Sequence, residues 1–187
     1  MSQWKWCATD DNGKVIKGWY KDNDKDGHLL ETSLVSDKLI DFIKSWEGFS
    51  ATPYYDEVGV KILGYGMTGD EIDGIESITE SEAAEMLKDL INKKYAPAIK
   101  ADLDSKGVSL KQNEFDALVS FAYNCGIAGL LGSTLYQNVV WGVRDFNTIK
   151  FNFLAWCNGG GKIIEGLCGR RTKEAKMFLN EEYTGNV

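Results

Sequence analysis

The chain has one histidine, His28, and four cysteines, Cys7, Cys125, Cys157 and Cys168, none of them in a C-x-x-C pair. That scarcity excludes a structural zinc site, which draws closely spaced Cys and His ligands. It also works against a Cys–His nucleophile, because the single imidazole sits in a polar stretch, K-D-G-H. The thiols are expected as small buried groups kept reduced. Positive charge is scarce as well. The net charge is −7 and no basic patch or arm is visible. This excludes nucleic acid as a partner and electrostatic capture by an anionic membrane. No apolar run reaches spanning length, so no membrane insertion is expected. The opening M-S-Q-W-K-W-C-A-T-D-D lacks a basic-then-apolar leader. The expectation is a protein made in the cytoplasm without a signal peptide. No internal repeat or low-complexity tract appears across 34–187. The remaining composition, 43% apolar and 26% charged over 187 residues, is that of a soluble globular chain. It is long enough for one well-cored domain with a small appendage.

Residues 1–33 read as that appendage. Trp4, Trp6, Trp19 and Tyr20 stand among D-D-N-G and K-D-N-D-K-D-G. Asn12-Gly13 is a hairpin turn signal, with Lys5–Ala8 and Val15–Trp19 as the strands it joins. Asp26-Gly27 is a second turn signal. A single hairpin is marginal alone, so it is expected to dock on the main body. Its aromatics have two readings, stacking on sugar rings or serving as the core of the small unit.

Residues 34–187 form the main domain. The stretch S-W-E-G-F-S-A-T-P-Y-Y-D-E-V-G-V-K-I-L-G-Y-G-M-T organises it. A helix over 36–47 is capped by Ser36, with Asp37 in its first turn. Ser36, Ile40, Ile43 and Glu47 share one face. Glu47 therefore continues an apolar stripe at the negative end of the helix dipole, and both influences favour its protonated form. Gly48 suits the left-handed residue that ends a helix. Strands are expected across 54–68, with Val58, Val60 and Ile62 on one side and turns or bulges at Gly59, Gly64 and Gly66. Asp56 falls among polar neighbours and is expected to stay ionised. Two carboxylates in contrasting surroundings are the pattern of a general acid and its partner. Asp56 can also be read as a turn-forming aspartate.

Helices follow from Ser77 onward. Thr79 and Glu82 form a capping box for a helix with Ala83, Leu87, Leu90 and Ile91 on one face. Pro97 is expected at or just past its end. Ser109 and Gln112 read as a second capping box. It opens a helix to about Asn124 that is apolar nearly all round, as a central buried helix would be. Ser133 caps a further helix, Thr148 begins another, and Gly159-Gly160-Gly161 breaks the chain. The last helix carries Arg170, Arg171, Glu174 and Phe178, its arginines expected in surface or inter-helix ion pairs.

These residues resemble two families. K-W-C-A-T-D-D-N-G-K-V-I-K-G-W-Y-K-D-N looks like one copy of the aromatic cell-wall-binding repeat of about 20 residues, a type that stacks in several copies. It implies either wall binding or a docked remnant, and points to a Gram-positive host. Residues 36–180 resemble the phage-type lysozymes, glycoside hydrolase family 24. E-G, a carboxylate nine residues on and then G-Y-G carry the likeness, followed in order by Q-N-E-F-D-A-L-V-S-F-A-Y-N, S-T-L and G-L…R-R…E. The resemblance implies an α+β, two-lobed lysozyme-like fold, a small β-lobe and a mainly helical lobe flanking a cleft, here with a short N-terminal β-hairpin. It implies hydrolysis of the β-1,4 bond between N-acetylmuramic acid and N-acetylglucosamine in peptidoglycan, without metal or organic cofactor. Glu47 corresponds to the acid and Asp56 to the second carboxylate of an inverting scheme. Thr68, Tyr123 and Ser133 fall where family members line the sugar cleft. The implied partner is the glycan strand, the implied state a monomer, and the implied place of action the cell wall after release through a holin lesion.

Two positions depart from the family pattern. Ile62 stands where the family has a catalytic threonine, and Met67 where it has a histidine. Isoleucine removes a hydrogen-bond partner for the attacking water, which predicts a loss on the order of 10²-fold. A weakened or transglycosylating enzyme, or a wall-binding protein that has lost hydrolysis, are the alternatives this opens.

Overall fold

The computed structural model describes residues 4–7, 18–21 and 33–186. The chain divides into two compact units, Met1–Leu34 and Val35–Val187. In the first, strands β1 (Trp4–Cys7) and β2 (Gly18–Lys21) pair antiparallel, Trp6 opposite Trp19 and Cys7 opposite Gly18. The second strand overlaps the expected one at Gly18 and Trp19 and runs on to Lys21, while residues 15–17 lie outside the described residues. The turns read at Asn12-Gly13 and Asp26-Gly27, and His28, lie outside the described residues.

The second unit opens with α1 (Asp37–Glu47). Ser36 Oγ accepts from the Leu39 N–H at 3.2 Å, the expected cap. Leu39, Ile40, Phe42 and Ile43 are buried. A short antiparallel hairpin follows, β3 (Ser50–Tyr55) and β4 (Lys61–Gly64), with a bulge between Ser50 and Tyr54. This differs from the sequence reading. The strands flank a turn over 56–60, where Val58 is 83% and Val60 43% exposed rather than strand residues on one face. The Asp56 side chain draws the backbone N–H groups of both valines inward and closes that turn.

α2 (Glu80–Leu90) starts from the Thr79–Glu82 capping box. Pro97 does not end the helical path. The chain passes through a π-helical turn, Ile91–Tyr95, directly into α3 (Ala96–Ser105), with Pro97 in the first turn of α3. Proline lacks an N–H and clashes with the preceding turn, and a locally widened turn accommodates both.

The helical lobe is built around α4 (Gln112–Cys125), buried continuously from Asn113 to Ala122. Its N-cap is Lys111, not Ser109, because Glu114 reaches back to the Lys111 N–H at 3.2 Å. Around it lie α5 (Ile127–Leu131), α6 (Thr134–Val140) and α7 (Phe146–Leu154). α7 starts earlier than Thr148 because Asp145 accepts the Thr148 N–H at 2.9 Å. A minimal hairpin, β5 (Asn158–Gly159) and β6 (Lys162–Ile163), turns through Gly160-Gly161. α8 (Glu165–Asn180) then packs back along α4 and α7. Among the described residues, no helix is long and apolar enough to cross a membrane.

Candidate active site

Glu47 is the last residue of α1. Gly48 ends the helix at φ 67°, its N–H returning to the Lys44 carbonyl at 3.2 Å. The Glu47 side chain is 21% exposed, and its Oε1 accepts from Arg170 Nη1 at 2.5 Å. Its other oxygen, Oε2, faces Gly66. A Cβ built on Gly66, whose φ is 77°, would lie 3.1 Å from Oε2. Glycine at this position therefore lets the loop after β4 close against the carboxylate.

Arg170 is 3% exposed and arrives from α8, at the far end of the chain. Its Nε donates to Glu174 Oε1 at 3.1 Å. Glu174 is fully buried and also accepts from Ser120 Oγ at 2.7 Å and from Arg171 Nη1. Arg171 also donates to Asn124 on α4. Two carboxylates and two guanidinium groups thus alternate through the interior, and each buried charge has an opposite neighbour. Burial works against the Arg170 cation, but Glu174 and Glu47 outweigh it and hold the guanidinium above its ordinary value. The arginines are interior rather than on the surface, and Arg170 makes an inter-helix pair, the other alternative expected. Their i,i+4 and i,i+3 spacings to Glu174 were visible in the sequence. The bond from Arg170 to Glu47 was not, since no local pattern reports a contact 123 residues apart.

Glu47 opens on a cavity of about 270 Å³, lined also by Gly66, Met67, Thr68, Tyr95 and Tyr123. Leu90, Lys94 and Asn124 complete its wall. The Tyr123 hydroxyl donates to the Tyr65 carbonyl at 2.7 Å, and its ring meets Tyr95 edge-on at 5.3 Å. Burial, reinforced by the charge of Glu47, pushes the Tyr123 hydroxyl far above its ordinary value, so it remains a donor. Tyr65 in turn donates to Glu80 at 2.8 Å, and burial with that bond pushes its hydroxyl up to about 12. Lys94 is held at the rim by Glu71 at 2.8 Å, and that bond raises its ammonium above its ordinary value. Tyr95 and Lys94 belong to the π-helical turn, and sequence reading did not single them out.

The other sequence-selected residues divide. Thr68 is exposed and lines the cavity with Tyr123. Asp56 does not line it. Its Oδ1 accepts from Val58 N at 3.0 Å and Val60 N at 2.8 Å, and its own N–H donates to the Val60 carbonyl at 3.0 Å. Ser133 is 3% exposed, accepts from Tyr136 N at 3.0 Å and donates to the Leu130 carbonyl at 2.7 Å, as a helix cap does. It is not part of the cavity wall. Ile62 lies opposite Tyr54 in the β3–β4 hairpin. Met67 is 1% exposed, pairs with Leu63 through two backbone bonds of 3.0 Å, and forms part of the cavity wall.

The family model described as phage lysozyme matches residues 44–174. An endolysin of Bacillus phage B103 is 35% identical over 150 residues, 79% of this chain and 55% of that protein. An endolysin of Salmonella phage P22 is 30% identical over 151 residues, 78% of this chain and 98% of the relative. The chain spans about half the length of the Bacillus phage endolysins it matches. Among solved structures, an endolysin from Escherichia coli O157:H7 phage FAHEc1 aligns with a TM-score of 0.68 at 31% identity. That alignment covers 80% of this chain and 96% of that one. The muramidase domain of SpmX from Asticaccaulis excentricus aligns with a TM-score of 0.66 at 27% identity, over 78% and 97%.

Proposed function

The chain belongs to the phage lysozyme family, and on that premise we propose that it is an endolysin hydrolysing the β-1,4 bond between N-acetylmuramic acid and N-acetylglucosamine in peptidoglycan. The observation that carries the proposal is the setting of Glu47. One carboxylate oxygen is fixed by a buried arginine, and the other is directed to the Gly66 side at the edge of an open cavity. Glu47 is the general acid that protonates the leaving glycosidic oxygen, and Asp56 is the second carboxylate, which orients the attacking water. When the proton leaves, the charge that forms on the carboxylate is met at Oε1 by Arg170, already in place, so little reorganisation is needed. Thr68 and Tyr123 contact the sugar within the cavity wall. Ser133 acts on the substrate indirectly, by fixing the start of α6. The chain acts on glycan strands of the wall, as a monomer, after release through a holin lesion.

Clearing of purified cell walls tests this reading, with Glu47→Gln as the control. The wild type should clear walls and leave new reducing ends at muramic acid, read by mass spectrometry. The variant should be slower by about 10³-fold. Equal rates for the two proteins would overturn the assignment. A second reading, a weakened or transglycosylating relative or a wall binder that has lost hydrolysis, is favoured by Ile62. Pelleting of both proteins with walls, without clearing by either, would select the wall-binding form.

A further inference from the structure

Cys125, Cys157 and Cys168 are free thiols. Two of them converge through one residue. Cys157 leads from the end of α7 into β5, and Cys168 lies in the first turn of α8. The Ile164 N–H donates to the Cys157 carbonyl at 2.9 Å, which extends the β5–β6 ladder by one pair. The Ile164 carbonyl accepts from the Cys168 N–H at 3.0 Å, the i to i+4 bond that begins α8. Both cysteines are thus bonded through the backbone to the one residue Ile164, one as its cross-strand neighbour and one as its next-turn neighbour. Cys168 is also the side chain that, after burial, most raises the Cys157 thiol above its ordinary value. Cys125 is engaged elsewhere, its Sγ accepting from Arg171 Nη2 at 3.0 Å.

We infer that Cys157 and Cys168 are an oxidisable pair, and that their disulfide staples the base of the β5–β6 hairpin to the first turn of α8. The two thiols have unequal access. Cys157 is 4% exposed, whereas Cys168 is partly exposed. Burial, with Cys168 beside it, holds the Cys157 thiol well above its ordinary value. Cys168 therefore meets an external disulfide first, and Cys157 resolves it. With oxidised glutathione as oxidant, the Cys168 thiolate attacks one of its sulfurs, forming a mixed disulfide and releasing one glutathione. Cys157, losing its proton to solvent, then attacks the Cys168 sulfur and releases the second glutathione. The protein loses two electrons and two protons, and one glutathione disulfide becomes two thiols. Arg171, which donates to the Trp156 carbonyl at 3.4 Å, places a cation beside the resolving thiol. The staple lies two residues from Arg170, so it fixes the turn that supplies the counter-charge of Glu47. The pair is independent of the substrate assigned above.

The test is to incubate the full chain with oxidised glutathione, block free thiols with N-ethylmaleimide and digest with trypsin without reductant. Lys162 separates the two cysteines, so the expected product is peptide 151–162 disulfide-linked to peptide 163–170. The oxidised chain should melt about 5–10 °C higher, reversibly with dithiothreitol. A Cys7→Ser, Cys125→Ser variant, which keeps only the pair, should give the same link. Cys168→Ser, at the partly exposed position, should abolish both link and shift. Maleimide on both cysteines, glutathione retained on Cys168 alone, or a link without a rise in melting temperature would each overturn the inference.

Discussion

Glu47 and Asp56 lie nine residues apart in the chain and are held in opposite ways. Glu47 takes its fixed partner from α8, by way of a buried guanidinium that also serves Glu174. Asp56 takes all of its partners from the five-residue turn it opens. The acid is thus positioned by tertiary structure, and its proposed partner by local structure. Changes in the last helix should reach the first carboxylate and leave the second alone.

The largest effect expected from that contrast is at Arg170. Arg170→Met leaves Glu174 short of a partner in the interior, and removal of one member of a buried ion pair costs about 3–5 kcal/mol. Urea denaturation should show this as a large fall in midpoint. Arg170→Lys restores charge but not the fork that reaches Glu47 and Glu174 together. It should recover part of the stability and less of the wall-clearing rate. A full return of the rate with lysine would mean that Glu47 needs only a nearby charge and not an oriented one.

Next in size is Ile62→Thr. Ile62 is a strand residue paired with Tyr54, so a threonine there suits the backbone and changes the fold little. The wall-clearing rate should rise by about 10²-fold, equivalent to about 2.7 kcal/mol of barrier. An unchanged or lower rate would show that the chain positions its water without this hydroxyl.

The same contrast explains what could be read from sequence. Local signals were legible. The Ser36 cap, the end of α1 at Glu47–Gly48, the Thr79–Glu82 box and the Ser133 cap all depend on residues within a turn of each other. The all-round burial of α4 was legible from composition. Reading failed where a longer-range or competing local interaction decided. Proline at 97 reads as a stop, yet a π turn carries the helix past it. Ser109 reads as a cap, yet Glu114 fixes the start at Lys111. The valines at 58 and 60 read as strand, yet the Asp56 carboxylate bends them into a turn. In the site, Glu47 was legible from its helix end, whereas Arg170 was not, because its partner was set by how α8 packs on the rest.

Asp56 gives a smaller effect that separates its two roles. Asparagine keeps an oxygen that accepts from Val58 and Val60 and removes the charge, whereas alanine removes both. Asp56→Ala should cost about 1 kcal/mol of stability, and Asp56→Asn less than about 0.5 kcal/mol. If the carboxylate orients the water, both variants should lose wall clearing by about 10²-fold, although only one loses stability. Activity that follows stability alone across the two variants would reduce Asp56 to a turn residue.

The smallest effect concerns a third carboxylate, the partner of Lys94 in the cavity wall, held at a range between the other two. Glu71 pairs with Lys94 at 2.8 Å, across 23 residues, with side chains 33% and 54% exposed. The hydrogen bond from Lys94, then one from backbone, holds the Glu71 carboxyl below its ordinary 4.5. A depressed carboxyl stabilises the fold above its unfolded value and loses that contribution as pH falls through the folded one. Lys94 is raised above its ordinary 10.5, so its contribution is complete below that value and is lost as pH climbs through the folded one. The pair therefore stabilises between these limits, by well under about 1 kcal/mol because water screens both groups. Glu71→Gln should shift the urea midpoint slightly at about pH 7, and the shift should shrink as the pH falls below the ordinary carboxylate value and the carboxyl takes up its proton. A difference that persists unchanged at the acid end would mean that Glu71 contributes by packing rather than by charge. Lys94 would then be free of any electrostatic role in shaping the rim beside Glu47.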